Sequence, residues 1–333
     1  MIDGDKPVSG EDTLIARYFK PLATDPGAFN LADDAAILKA SGDDVVVTTD
    51  AIVEGVHFLS GDPPDTVARK ALRVNLSDLA AKGATPAGFV LTLGLRSADD
   101  LWLRPFARGL GEDALHFGCP LLGGDTVSTP GPLMISITAF GRVPAGQMVH
   151  RSGAKPGDRV VVTGSIGDAA LGLEILKGGA VAAALAGDAA VQDRLVGRYR
   201  LPQPRNALAT AVRDHASAAM DVSDGLAGDL AKLCAASGVS AVIDAQSIPL
   251  SAEAEALLVR GTIGIEALVS GGDDYEILCA ISENRFEAFA QAADIAGVAV
   301  TSIGTVIAGP QVPRFLDSAG RDIALSRLSY SHF

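Results

Sequence analysis

Ala219-Met220-Asp221-Val222-Ser223-Asp224-Gly225-Leu226 is the stretch that decides the fold. A strand runs into Met220, a polar turn carries two aspartates, and a helical pattern follows over 225–236. The same alternation continues on both sides. Upstream lie a strand over 159–163, a Gly164-Ser165-Ile166-Gly167 turn, a helix over 167–177 and another near 206–214. Downstream come strands over 239–244 and 275–281, a helix over 283–296 and a strand near 298–306. Alternating helices and strands predict an α/β (α+β) architecture for this half of the chain.

Before it, Ser9-Gly10-Glu11-Asp12 reads as a helix start, with Leu14, Ile15, Tyr18, Phe19 and Leu22 at helical spacing behind it. The β-branched run 45–49 predicts a strand that ends at Asp50. A helix is expected over 66–82, with Asp78 among its apolar residues, and strands over 89–95 and 133–143. Turn formers concentrate over 143–158, which places a boundary between domains 1–148 and 149–333. There is no tandem repeat.

The chain has 333 residues, 48% of them hydrophobic and 20% charged, enough for a sizeable core and too apolar for disorder. Lys and Arg number 27 against 40 Asp and Glu, a net charge of −13 that argues against nucleic acid or anionic membrane as partner. Anionic small-molecule ligands would need cations to mediate. No run approaches the ~18 apolar residues of a spanning helix. The acidic start Met1-Ile2-Asp3-Gly4-Asp5 lacks the pattern of a secretory signal, so a cytoplasmic protein is expected. Cys119, Cys234 and Cys279 match no disulfide or metal spacing and read as reduced core thiols.

Several acids sit inside apolar or small-residue runs, where a solvated surface explains them poorly: Asp33-Asp34, Asp50 after Thr48-Thr49, Asp78, Asp125 after Gly123-Gly124, and Asp221 with Asp224. Taken singly, the structural reading is favoured, with Asp33-Asp34 and Asp224-Gly225 as turns, Gly123-Gly124-Asp125 a hairpin turn and Asp50 a strand-end helix cap. Together they favour one shared site. Two like charges about 4 Å apart repel by about 4 kcal/mol at an effective dielectric of 20, so such a cluster needs a cation. Carboxylates with neighbouring Thr and Ser hydroxyls suit magnesium. The chain carries no P-loop, no dinucleotide-binding glycine pattern, no His-Glu-x-x-His and no Gly-x-Ser-x-Gly, which weakens the corresponding chemistries.

The strings Asp33-Asp34-Ala35-Ala36, Thr48-Thr49-Asp50-Ala51-Ile52-Val53-Glu54-Gly55-Val56-His57-Phe58 and Val74-Asn75-Leu76-Ser77-Asp78-Leu79-Ala80-Ala81-Lys82-Gly83-Ala84 resemble thiamine-monophosphate kinases. So do Gly123-Gly124-Asp125-Thr126, the run from Arg151 to Asp158, the opening stretch from Met220, and Ser270-Gly271-Gly272-Asp273-Asp274-Tyr275-Glu276, in order along nearly the whole chain. The resemblance implies a two-domain fold like that of aminoimidazole-ribonucleotide synthetase. Its N-terminal domain would bind ATP and Mg2+ and form a homodimer through its sheet, followed by a C-terminal α/β domain. It implies transfer of a phosphoryl group from ATP to thiamine monophosphate, directly and in line, assisted by several Mg2+ ions. The implied metal ligands are Asp34, Thr48, Thr49, Asp50, Asp78, Asp125, Asp221 and Asp224, with Asp50, Asp78 and Asp221 as the catalytic acids. Gly124, Asp125, Arg151 and Ser223 would contact ATP, and His57 and Asp273 the thiamine phosphate.

Two positions depart from the family pattern. Asp273 stands where the family carries a glutamate, and the tail ending Tyr330-Ser331-His332-Phe333 offers no clear equivalent of the usual stacking aromatic. Sibling activities on the same fold fit less well. A selenophosphate synthetase would want a reactive cysteine near the N-terminus, and a hydrogenase-maturation dehydratase one at the extreme C-terminus. The purine synthetase is the nearest alternative, and a non-catalytic scaffold that binds divalent ions is the reading from another class.

Overall fold

The computed structural model describes residues 13–31, 36 and 38–329. The chain divides into two compact units, one of residues up to Asn75 together with Pro86–Arg142, the other of Leu76–Thr85 together with Val143 onward. The division falls inside the helix Pro64–Ala81, so Asp78 and Lys82 belong to the second unit.

The first unit is built on a four-stranded sheet of β1 (Asp44–Val53), β2 (Thr85–Leu95), β3 (Leu121–Ser128) and β4 (Met134–Val143), in the order β1-β4-β2-β3. In β4 every second residue from Ile135 to Val143 faces inward, the period of a half-buried strand. The β1 strand does not end at Asp50 as its β-branched run suggested; it continues to Val53, and the ladder to the neighbouring strand carries the acid inside it. Nor is Gly123-Gly124-Asp125 a hairpin turn: it lies within β3, which pairs parallel with β2. Parallel neighbours require a crossover, and the helix Asp100–His116 supplies it. That helix, absent from the sequence reading, buries Leu103, Phe106, Leu110 and Ala114 at three- and four-residue spacing, and Asp99 caps it by accepting from Leu101 N. It lies so close to the helix Pro64–Ala81 that a Cβ on Gly109 would come 2.6 Å from the Asp65 carbonyl. Arg69 and Arg73 of that neighbour both pair with the buried Asp113.

Further toward the N-terminus, Ser9 to Asp12 lie outside the described residues. The helical spacing behind them is realised as a π-helical turn, Ile15–Phe19, followed by the 3-10 turn Lys20–Leu22.

The second unit holds a six-stranded mixed sheet of β5 (Arg159–Thr163), β6 (Ala216–Asp221), β7 (Val239–Asp244), β8 (Ile277–Ile281), β9 (Val300–Ala308) and β10 (Arg314–Leu316), in the order β10-β7-β9-β5-β8-β6. Alternate residues feed two cores. Val160, Val162, Met220 and Leu278 join the cluster of Leu226, Leu230 and Leu233 from the helix Leu226–Ser237. Val161, Ala219, Cys279 and Ile281 join that of Val212 and Phe289, from the helices Ala209–His215 and Glu283–Ile295. The three cysteines are free and buried as expected, and burial pushes the Cys279 thiol up to about 12. Among the described residues no helix is long and apolar enough to cross a membrane.

Candidate functional site

Each unit gathers part of the residues singled out in the sequence. In the first unit, strand alternation sets Thr48 and Asp50 on the face that also carries the buried Val46 and Ile52, and Thr49 on the other. The Thr49 hydroxyl is engaged with β4, donating to the Ile137 carbonyl at 3.2 Å and accepting from Thr138 Oγ1 at 3.0 Å. Asp50 is exposed, and its backbone N–H donates to Asn75 Oδ1 at 3.1 Å. Asn75 is fully buried and donates in turn to the Ala71 carbonyl, so a helix side chain fixes the strand where the acid sits.

At the opposite edge of the sheet, Asp125 pairs with Thr92 in the β2–β3 ladder and is exposed. Gly124 beside it has no room for a side chain, since a Cβ would fall 2.0 Å from the Leu91 carbonyl oxygen. Three inter-strand steps of about 4.8 Å separate the edge strands β1 and β3, roughly 14 Å in all. Asp50 and Asp125 of one chain therefore do not share one ion. Asp33 and Asp34 lie outside the described residues.

His57 follows β1 in a half-buried loop. Its Nδ1 accepts from Val53 N at 3.1 Å, which in a neutral ring puts the proton on Nε2, and its carbonyl accepts from Lys70 Nζ at 2.9 Å. The ring is thus oriented by its own loop.

The second unit brings together the residues of the opening stretch. β6 ends at Asp221 beside the start of β8, where Asp221 pairs with Ile277. The loop beyond is tied to the segment before β8 by backbone bonds: Asp273 N donates to the Ser223 carbonyl and Tyr275 N to the Val222 carbonyl, each at 2.8 Å. Asp273 adopts φ 72°, and a Cβ on Gly272 would lie 2.6 Å from the Ser223 carbonyl oxygen, so the glycine permits the close approach. Ser223, Asp224 and Asp273 are neighbours for this reason.

Two residues that the sequence reading missed hold that loop from below. Asp229 is fully buried on the helix Leu226–Ser237; its Oδ2 accepts from Ser223 N and Asp224 N at 3.0 Å each, and its Oδ1 from Lys232 Nζ at 2.9 Å. Lys232 also pairs with Asp224 Oδ2 at 2.5 Å, so one oxygen of that aspartate is already committed to a cation. Burial pushes the Asp229 carboxyl up, while Lys232 pulls it down. The signal was present as an acid inside Leu226-Ala227-Gly228-Asp229-Leu230, an apolar helical run.

The acids after Asp273 have structural partners. Asp274 Oδ2 accepts from Gly167 N at 2.8 Å, and burial holds its carboxyl well above the ordinary range. Glu276 is fully buried between Arg198, Arg205 and the Thr163 hydroxyl.

Asp78 occupies the last turn of the helix Pro64–Ala81, and Lys82 just beyond it donates to the Ala219 carbonyl at 2.7 Å. Burial lowers the Lys82 pKa, Asp221 and Asp78 raise it, and the exposed Arg151 lowers it, which places all four in one electrostatic neighbourhood of the second unit. Among the described residues no three of His, Cys, Asp and Glu gather closely enough to hold an ion unaided. The donors fit magnesium nonetheless. That ion is usually held by one or two carboxylates, completing its shell with water and substrate phosphates. The described cavities lie elsewhere; one of about 150 Å³, lined by Glu54, Asp62, Arg96 and Trp102, is near the His57 loop but contains no predicted site residue.

Family models for the N-terminal and C-terminal domains of AIR synthase related proteins match residues 32–143 and 155–316. A thiamine-monophosphate kinase of Caulobacter vibrioides is 48% identical over 324 residues, 96% of this chain and 89% of the relative. The solved thiamine-monophosphate kinase of Stenotrophomonas maltophilia K279a superposes with a TM-score of 0.81 at 37% identity, covering 91% of this chain and 94% of the other. The structure of AaThiL complexed with AMPPCP and TMP superposes with a TM-score of 0.77 at 29% identity, covering 90% and 91%.

Proposed function

We infer from its membership of the thiamine-monophosphate kinase family, to which the chain belongs, that it transfers the terminal phosphoryl group of ATP to thiamine monophosphate, giving ADP and thiamine diphosphate. The observation that carries this is likeness along both domains to thiamine-monophosphate kinases, one similar structure being a complex with AMPPCP and TMP. Phosphoryl transfer asks mainly for alignment and charge neutralisation. A loop carrying Ser223 and Asp224, pinned by Asp229 and by backbone bonds to the segment that carries Asp273, suits that demand.

In this reading Gly124, Asp125, Arg151 and Ser223 bind ATP, the bare backbone at Gly124 allowing close approach and the Arg151 guanidinium offering a fork of donors. His57, its ring set by Val53 N, and Asp273 orient the thiamine phosphate. The acceptor is a phosphate oxygen, ionised or nearly so at neutral pH, so no strong general base is required. Asp50, Asp78 and Asp221 form the catalytic set. With Asp34, Thr48, Thr49, Asp125 and Asp224 they would hold several Mg2+ ions, Thr49 through its carbonyl because its hydroxyl serves β4, and Asp224 through the oxygen that Lys232 leaves. Bound there, the ions would neutralise phosphate charge in a chain of net charge −13.

The first unit would pair with a second copy as a homodimer through its sheet. Support comes from Val45, Val47 and Val127, apolar and exposed on the strands, and from the separation of Asp50 and Asp125 on opposite edges, which a second copy would remedy. Reduced, buried cysteines and the acidic composition support a cytoplasmic setting.

The test is ADP release coupled to a reporter, with thiamine monophosphate against unphosphorylated thiamine and an aminoimidazole precursor. Turnover is expected with the monophosphate alone. No ADP with it, or ADP with the purine precursor, would refute the assignment.

A further inference from the structure

We propose that Lys82 is a further positioning residue of the phosphoryl-transfer site, a fixed positive charge that holds Asp78 and Asp221 apart from full mutual repulsion and sets how tightly they take a divalent ion. The proposal rests on the reading of those two aspartates as metal ligands. Lys82 N donates to the Asp78 carbonyl at 3.0 Å, so the chain keeps its helical course for one more residue and the two side chains stand one turn apart. The Lys82 ammonium reaches the Ala219 carbonyl at 2.7 Å, on the strand that delivers Asp221 two residues later. One of its three N–H donors is spent there, and Asp221 and Asp78 favour its charge while Arg151 opposes it.

A long, rotamer-rich side chain held at its tip by a strand carbonyl is not a solvated surface lysine. Its charge is a partial substitute for a metal ion. It stabilises the two carboxylates when no ion is bound and competes with an arriving one. A single positive charge about 6 Å from a divalent ion weakens its binding about tenfold at the dielectric of water, and by more at the effective value of 20 taken for the clustered acids.

The experiment measures Mn2+ binding to the full-length, nucleotide-free protein by the electron paramagnetic resonance signal of free Mn2+, with unfolding midpoints recorded for every variant. Lys82→Met is expected to tighten Mn2+ by about tenfold or more. Lys82→Gln, which keeps an N–H for the Ala219 carbonyl, should do the same even if the Met variant folds poorly, and Lys82→Arg should stay near the wild type. An Asp78→Asn/Asp221→Asn double variant should lose the site. Unchanged or weaker binding in both neutral variants, with the double variant inactive in binding, overturns the role of Lys82 and leaves the ligand reading intact. Wild-type binding by the double variant refutes the ligand reading itself, and the proposal with it.

Discussion

Replacing Asp229 tests whether the loop that carries Ser223 and Asp224 is positioned by one buried carboxylate. Its Oδ2 takes two backbone N–H groups at 3.0 Å, and Lys232 meets its other oxygen. Hydrogen bonds to a charged acceptor contribute about 1.5–3 kcal/mol each, and losing the acceptor leaves buried donors unpaired. Because the two bonds share one oxygen they do not add fully, so Asp229→Ala is expected to cost about 4 kcal/mol. Asp229→Asn keeps an oxygen where both N–H groups point and removes a buried charge along with its attraction to Lys232. Its amide NH2 then faces the Lys232 ammonium, which must turn to Asp224 and solvent, so the expected cost is about 2 kcal/mol, well below that of the Ala variant. Urea unfolding of the two variants gives the stabilities, and the KM for ATP reports the loop. The Ala variant should raise that KM well beyond the Asn variant at a temperature where both remain folded. Equal losses in the two, or an Ala variant within about 1 kcal/mol of the wild type with an unchanged KM, would refute the reasoning.

Three further outcomes follow from the same geometry. Asp50→Asn should cut turnover far more than it lowers the unfolding midpoint, because the strand is fixed there through the backbone N–H to Asn75; retained activity would remove Asp50 from the catalytic set. Gly124→Ala should destabilise the first unit by about 3 kcal/mol, since its Cβ would meet a strand carbonyl rather than a movable side chain, and a normal denaturation curve would contradict the close approach. Asp274, whose carboxyl burial holds well above its ordinary value, stabilises the fold at pH below the unfolded carboxylate value of about 3.9 and loses that contribution as pH rises through its folded value. Asp274→Asn has no proton to lose, so its midpoint should gain on the wild type as pH rises; a difference that is flat with pH would count against the buried carboxyl.

The second half of the chain was legible because its strands are short apolar runs and its helices carry their own punctuation. β7 occupies 239–244 as read, and the helix read from Gly225 begins at Leu226, with Gly225 at φ 116° where only glycine fits easily. The first half was harder. Asp50 looked like a strand end because a charge interrupts the β-branched run, but the strand is edge-exposed there and tolerates it. Gly123-Gly124-Asp125 has the composition of a turn and is a strand, in which the parallel neighbour leaves no space for a side chain at Gly124.

Residue order and spacing by themselves determined the α/β character and the family likeness. Those are properties of neighbours along the chain, which local patterning and motif matching read directly. Tertiary structure alone decided that Asp50 and Asp125 occupy opposite edges of one sheet, that Thr49 spends its hydroxyl on β4, and that Asp229, Lys232 and Lys82 stand behind or beside the acids named first. Strand order, sheet face and the partner of a buried charge are set by contacts between residues far apart in sequence, and no window on a single segment contains them.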